Sequence, residues 1–317
     1  MRLKNISLIL LLFLAAGCSG RKGEVGTSAN PVRFYLMPLK SNETVEKNAF
    51  LLKNFLQEKT GLVIETVPTA DFVTIVKDFG QKKTDVAFMN TLGYLLARDY
   101  AKVEASLRYV YAPQQSYYQG EVLVRADAHI KTPADLNGKK IAFVDVYSTT
   151  GYLYALDYLK EKGIKLKEKY FAGSHYQAAA DVYTGKADAA FVYYASPAPD
   201  GSATDARIGV VDLYPDVVRK VAILDITKQM PTGAIALRRN LSPEVKTKLV
   251  TALQEFATTD LGKTSLRELY NIEGFIPTSD EDYDEVRRIV SKNGKTVQEM
   301  IPGGEPYYKT SIIAGLE

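Results

Sequence analysis

Tryptophan is absent from the 317 residues, cysteine occurs once and histidine twice. A single cysteine excludes an internal disulfide and a thiolate metal cluster. Two histidines leave little for a metal site, and one of them, His129, stands in a polar turn (ADAHIKTPADL). A site made of carboxylates alone stays open. The chain also lacks a dominant sign of charge: 40 Lys and Arg against 37 Asp and Glu give a net +3. Arg2 and Lys4 belong to a leader segment, and without those two charges the remainder nets +1. That leaves no basis for a nucleic-acid partner, which needs a concentrated basic surface. Enzyme signatures are missing as well. There is no H-E-x-x-H, no G-x-S-x-G and no G-x-x-x-x-G-K-[ST]. Asn137-Gly138-Lys139-Lys140 reads as a turn entering a strand, not as a phosphate loop. No catalytic residue, cofactor or metal is expected.

What is present is ordinary in bulk: 46% apolar and 24% charged residues, with 21 tyrosines. The length suits two domains. The first 20 residues, MRLKNISLILLLFLAAGCSG, put two cations before an apolar run from Ile6 to Ala16. A membrane-spanning helix needs about 20 apolar residues, so this run is too short. It has the parts of a secretory signal, ending in small residues. Ala15-Ala16-Gly17-Cys18 resembles a bacterial lipobox, which would make 1–17 a signal peptide and Cys18 the lipidated mature N-terminus. A chance cysteine beside an ordinary signal is the alternative. Residues 18–31, polar and rich in Gly and Ser, read as a flexible tether to the folded body.

From Val32 onward strand-like and helix-like segments alternate, which argues for an α/β fold with mostly parallel sheet. Two stretches echo each other: FGQKKTDVAFM (Phe79–Met89) and VYTGKADAAFV (Val182–Val192). Each is a helix end, a polar turn with Lys, an Asp and a short apolar strand. The echo suggests two similar lobes with a ligand cleft between them. Two unrelated units sharing one turn chemistry would read the same way.

The stretch with most chemistry is IAFVDVYSTTGYLYALDYLKEKG (Ile141–Gly163), where a strand runs into a helix through Ser148-Thr149-Thr150-Gly151. Helix N-termini carry about four backbone N–H groups without intrahelical partners and a partial positive charge. Three hydroxyls beside such amides suit an oxyanion; an ordinary N-cap needs only one. In GSHYQAAADVYTG, Ser174 and Gln177 fit a capping box, placing His175 in the first helical turn, as an anion donor or as a surface residue. Tyr117 and Tyr118 precede the strand Gly120–Arg125 and are placed to line a cleft or to pack.

Taken together, SYYQGEVLVR (116–125), PADLNGKKIAFVDVYSTTG (133–151) and GSHYQAAADVYTGKADAA (173–190) resemble the phosphonate/phosphite/phosphate-type substrate-binding proteins of ABC importers over residues 32–260. The resemblance implies a two-lobe type II periplasmic-binding-protein fold with a ligand cleft between the lobes. Lobe 1 would be 32–118 with 227–317, and lobe 2 would be 119–226. It implies that Ser148, Thr149, Thr150, His175, Tyr118 and a first-lobe aromatic at Phe72 contact the ligand. The family usually has Tyr at that last position, so one phenol is missing here. It also implies capture of a small phosphorus oxyanion, an ABC importer permease as partner, and an extracytoplasmic place on the membrane through the N-terminal lipid. Members that take aminoalkylphosphonates pair the ammonium with carboxylates at positions matching Ala195 and Gly233, which cannot do so. The remaining alternatives are a sensor lobe for another small anion, a secreted enzyme on the same scaffold, and a structural lipoprotein.

Overall fold

The computed structural model describes residues 23–36, 42–68, 72–111 and 115–300. The leader 1–17 and Cys18 lie outside the described residues. Two mixed sheets organise the chain. The first contains β1 (Val32–Leu36), β2 (Ile64–Pro68), β3 (Val86–Met89), β4 (Glu104–Tyr111), β11 (Ala234–Leu237) and β12 (Ile272–Pro277), in the order β12-β4-β11-β3-β1-β2. The second contains β5 (Tyr117–Arg125), β6 (Lys140–Phe143), β7 (Glu168–Phe171), β8 (Ala189–Tyr194), β9 (Val221–Ile226) and β10 (Met230–Pro231). Its order is β10-β5-β8-β6-β7, with β9 also paired to β5. Sheet membership changes between Tyr111 and Tyr117, and changes back between Pro231 and Ala234.

The central strands are short apolar runs because helices cover both faces of each sheet. All four residues of β3 are buried, and Phe88 stacks between Phe34 at 5.5 Å and Tyr270 at 4.7 Å. Burying one such ring contributes about 1.5–3 kcal/mol. Separate apolar clusters lie on the two faces of each sheet. One of them joins the halves: Leu153 and Tyr154 of the second half are buried with Met89, Leu92 and Tyr283 of the first.

The sequence echo has a structural counterpart. Asp85 precedes β3, and its carboxylate accepts from Arg33 N–H at 3.0 Å on β1. Asp188 precedes β8 and accepts from Lys140 N–H at 2.8 Å on β6. Each Asp N–H in turn donates to the carbonyl of that same residue, at 3.0 and 2.9 Å. One carboxylate therefore fixes the register of one parallel pair in each sheet.

Three expectations need correction. The sheets are not mostly parallel: β1–β2, β1–β3, β6–β7 and β6–β8 pair parallel and the remaining strand pairs antiparallel. Residues 23–31 are not a loose tether. Gly26 N–H donates to the Asn30 carbonyl at 2.8 Å, and the Gly26 carbonyl accepts from Val63 N–H at 2.7 Å, so the segment lies against the first sheet. Gly26 has φ +97°, and a Cβ there would collide with Leu62. The helix expected to follow the run Ser148-Thr149-Thr150-Gly151 begins inside it, as a wide turn over Thr149–Leu153 that runs into the α-helix Tyr154–Glu161. β7 (EKYF) is a largely exposed edge, and β12 contains Gly274 and an irregular register, so neither has an apolar signature.

The crossings are tied to one another. Thr232, fully buried, donates its hydroxyl to the Tyr109 carbonyl at 2.6 Å and its backbone N–H to the Ser116 carbonyl at 3.3 Å. Tyr283 donates to the Thr232 carbonyl at 3.0 Å. Farther out, Asp157 on helix Tyr154–Glu161 pairs with Lys292 at 2.7 Å, which clamps the second half to the helix Asp284–Lys292.

Glu121 on β5 is fully buried, and neither carboxylate oxygen has a hydrogen-bond partner among the described residues. Burial, with Asp205 nearby, raises its pKa to about 9. A folded-state pKa above the unfolded value costs stability progressively as pH rises between the two. Glu121→Gln should therefore raise the melting temperature by at least about 2 °C at pH 8 and by less at pH 5. A lower melting temperature at pH 8 would show that the carboxylate is satisfied by something else.

Candidate functional site

Two helices begin at the space between the sheets, and both begin in the same way. After β3 the chain reads Asn90-Thr91-Leu92-Gly93-Tyr94-Leu95; after β6 it reads Ser148-Thr149-Thr150-Gly151-Tyr152-Leu153. Asn90 caps helix Thr91–Ala101 by accepting from Gly93 N–H at 2.7 Å. Ser148 accepts from Gly151 N–H at 2.9 Å. Tyr94 N–H donates to the Asn90 carbonyl and Leu153 N–H to the Ser148 carbonyl, opening the two helical ladders. The amides of Thr91, Leu92, Thr149 and Thr150 precede them, where helices carry unused N–H groups and partial positive charge.

Both ends line one cleft of about 330 Å³, together with Tyr109, Tyr111, Tyr118, His175 and Gly233. Ser148, Thr149, Thr150, His175 and Tyr118 are thus brought together. Phe72 is the first residue of helix Phe72–Gly80, and its side chain lies outside the described residues. The sequence reading missed Asn90 and Thr91. Their resemblance to the Ser148 run was the available signal.

The glycine at 151 has a packing reason. A Cβ there would lie 2.3 Å from the Val144 side chain, so the helix start could not settle on the end of β6. Thr149 and Thr150 are buried, at 5% and 3% exposure. Thr91 donates to the Pro231 carbonyl at 3.0 Å, so in its 3.1 Å contact with Tyr118 the phenol is the donor. Thr149 reaches the same phenol. Tyr118 therefore joins the two helix ends.

No Lys or Arg is among the described residues lining the cleft, and Asp145 is its one carboxylate. Asp145 accepts from Tyr147 N–H at 2.7 Å, and burial raises its pKa. Among the described residues, an anion here would be held by neutral donors.

His175, at the start of helix His175–Tyr183, accepts at Nδ1 from Tyr193 N–H at 3.0 Å. That bond places the proton of the neutral ring on Nε2, and a proton on Nδ1 would break it. Desolvation pushes the pKa down to about 4. His175 is a neutral Nε2–H donor.

Neither Ala195 nor Gly233 offers a carboxylate. A Cβ at 233 would lie 2.3 Å from the Met89 carbonyl oxygen and 2.5 Å from the Tyr109 ring. Tyr109 thus fills the place where a longer side chain would sit, held by hydrogen bonds to the carbonyls of Met89 at 2.9 Å and Ala234 at 3.0 Å.

The family described as "ABC transporter, phosphonate, periplasmic substrate-binding protein" matches residues 34–283. The phosphate-import protein PhnD of Mycolicibacterium smegmatis is 27% identical over 311 residues, covering 89% of this chain and 92% of its own. PhnD1 from Prochlorococcus marinus, solved in complex with methylphosphonate, superposes with a TM-score of 0.63 at 17% identity, covering 83% of this chain and 98% of its own. A binding protein component of an ABC phosphonate transporter from Pseudomonas aeruginosa gives 0.61 at 18% identity, covering 84% and 85%. These neighbours share the two-lobe type II periplasmic-binding-protein fold.

A neutral His175 makes a clear pH prediction. Titrated calorimetrically and corrected for the ligand's own ionisation, anion affinity should stay flat between pH 6 and 8. A tenfold loss per pH unit above about 6.5 would instead mark a cationic histidine.

Proposed function

We propose a ligand and a role for this chain on one premise: it belongs to the periplasmic phosphonate substrate-binding proteins of ABC transporters. It is a substrate-binding transport protein and not an enzyme. Its cargo is a small phosphorus oxyanion (phosphonate, phosphite or phosphate), and its partner is the permease of the importer. Cys18 carries the lipid that holds the mature protein at the extracytoplasmic face of the membrane. The parts on either side of the crossings, 32–118 with 227–317 and 119–226, act as closing lobes.

The observation that carries this reading is the pair of capped helix ends facing one cleft. A tetrahedral oxyanion presents oxygens in several directions, and amides from two helices converge on it from opposite halves. The hydroxyls of Thr150 and Ser148, the Nε2–H of His175 and, once turned from the Tyr118 phenol, the hydroxyl of Thr149 supply the remaining donors. Hydrogen bonds to a charged group contribute about 1.5–3 kcal/mol each. Micromolar to nanomolar affinity needs about 8–12 kcal/mol. Five or six aimed donors offset desolvation and ordering without a buried cation. Closure would follow from the same arrangement, because an anion bound by both ends favours the state in which they are close.

Thr149→Ala removes one donor and should weaken binding of the cognate oxyanion by about one to two factors of ten in calorimetry. Unchanged affinity would move the site elsewhere. Aminoethylphosphonate should bind poorly. Its ammonium would be buried near the Ala195 methyl and the blocked position 233, neither of which supplies a carboxylate, at a cost of several kcal/mol. Micromolar or tighter affinity for it would contradict the arrangement.

A further inference from the structure

The oxyanion site accounts for only part of the available space. Tyr111, Tyr118, Thr150, His175 and Tyr270 belong both to the cleft and to a second cavity, of about 390 Å³, that continues past them. A water takes up about 30 Å³ of liquid. A bare tetrahedral oxyanion has five heavy atoms, and at the helix ends it would leave this chamber unfilled.

The walls of the chamber are mostly rings. Beyond the shared residues come Tyr176, Tyr193, Tyr194 and Ala195. Among the described residues lining it there is no Lys, Arg, Asp or Glu. Two of its polar side chains are engaged with the wall: Gln115 donates to the Ser196 hydroxyl at 2.9 Å, and Thr204 donates to the Ser196 carbonyl at 2.7 Å. The rings are held in place. Tyr193 stands edge-on to His175, with centroids 5.0 Å apart. Tyr176 lies against the backbone at Gly209, where a Cβ would come within 2.2 Å of the ring. A prearranged aromatic wall loses little freedom when a ligand is placed against it.

We propose that the ligand is a monosubstituted phosphorus oxyanion whose uncharged, flat, apolar substituent fills this tyrosine chamber while its oxygens sit at the two helix ends. The inference rests on the oxyanion reading of the cleft. Three features of the chamber select the substituent. The absence of a carboxylate disfavours an ammonium group. The absence of a cation gives nothing to a second acid group. The tyrosine rings reward apolar area, and a flat group adds edge-to-face contact with them. Ala195 leaves room where a larger side chain would stand.

The test is calorimetric titration of the mature protein, stripped of co-purified ligand, with methylphosphonate, benzylphosphonate and inorganic phosphate. Benzylphosphonate should bind about tenfold more tightly than methylphosphonate. Tyr194→Ala should bring the ratio of the two affinities toward one. Ala195→Trp, which fills the chamber, should reverse it. Methylphosphonate binding as tightly as benzylphosphonate or tighter, in a protein that does bind phosphorus oxyanions, overturns the chamber and leaves the oxyanion site standing. Binding of none of the three by a folded, stripped sample overturns the oxyanion site and the chamber with it.

Discussion

A buried anion needs hydrogen-bond donors that bring no large desolvation cost of their own, and in the proposed site the ends of two helices would supply them. An Arg or Lys in the cleft would have to be dehydrated each time the cleft closed empty. A helix end carries its partial charge permanently and points it in a fixed direction. The cleft lining has no described cation and is formed where helices starting at Thr91 and Thr149 face each other. The two mixed sheets, the two crossings and the shared apolar cluster serve to bring those ends together.

That constraint explains details that otherwise look incidental. Gly151 lets the second helix start close against Val144, and Ser148 and Asn90 cap their helices through the same N3 amide. Tyr118 bridges the two ends from the first crossing, and Thr232 ties that crossing to the second. The ion pair between Asp157 and Lys292 lies outside the cleft but joins the halves on the same side. Each contact is modest, and together they limit how far the two helix ends can separate.

Much of this was legible in the sequence because it was local. The runs VAFM and AAFV read as buried strands, the Ser148 run read as a helix end with more hydroxyls than a cap needs, and the Asp echo marked equivalent turns. What Asn90 and Thr91 bring to the cleft was not read, although their run resembles the one at Ser148. A capping residue looks the same whether its helix points at solvent or at a ligand, and only tertiary placement distinguishes the cases. Tyr111, Tyr193 and Tyr270 were hidden for a similar reason. Among 21 tyrosines, only the fold selects those that meet. The edge strand Glu168–Phe171 was invisible because an edge exposed to water needs no apolar pattern. Residues 23–31 were misread because their order comes from backbone bonds to Val63, which composition does not report.

The central claim is that amides of two opposed helix ends, without a cation, hold the anion. A crystal structure of the protein loaded with methylphosphonate tests it most directly. The account predicts phosphonate oxygens within about 3 Å of the backbone nitrogens at both Thr149–Thr150 and Thr91–Leu92. An anion held by a lysine or arginine, or by only one of the two ends, would contradict it.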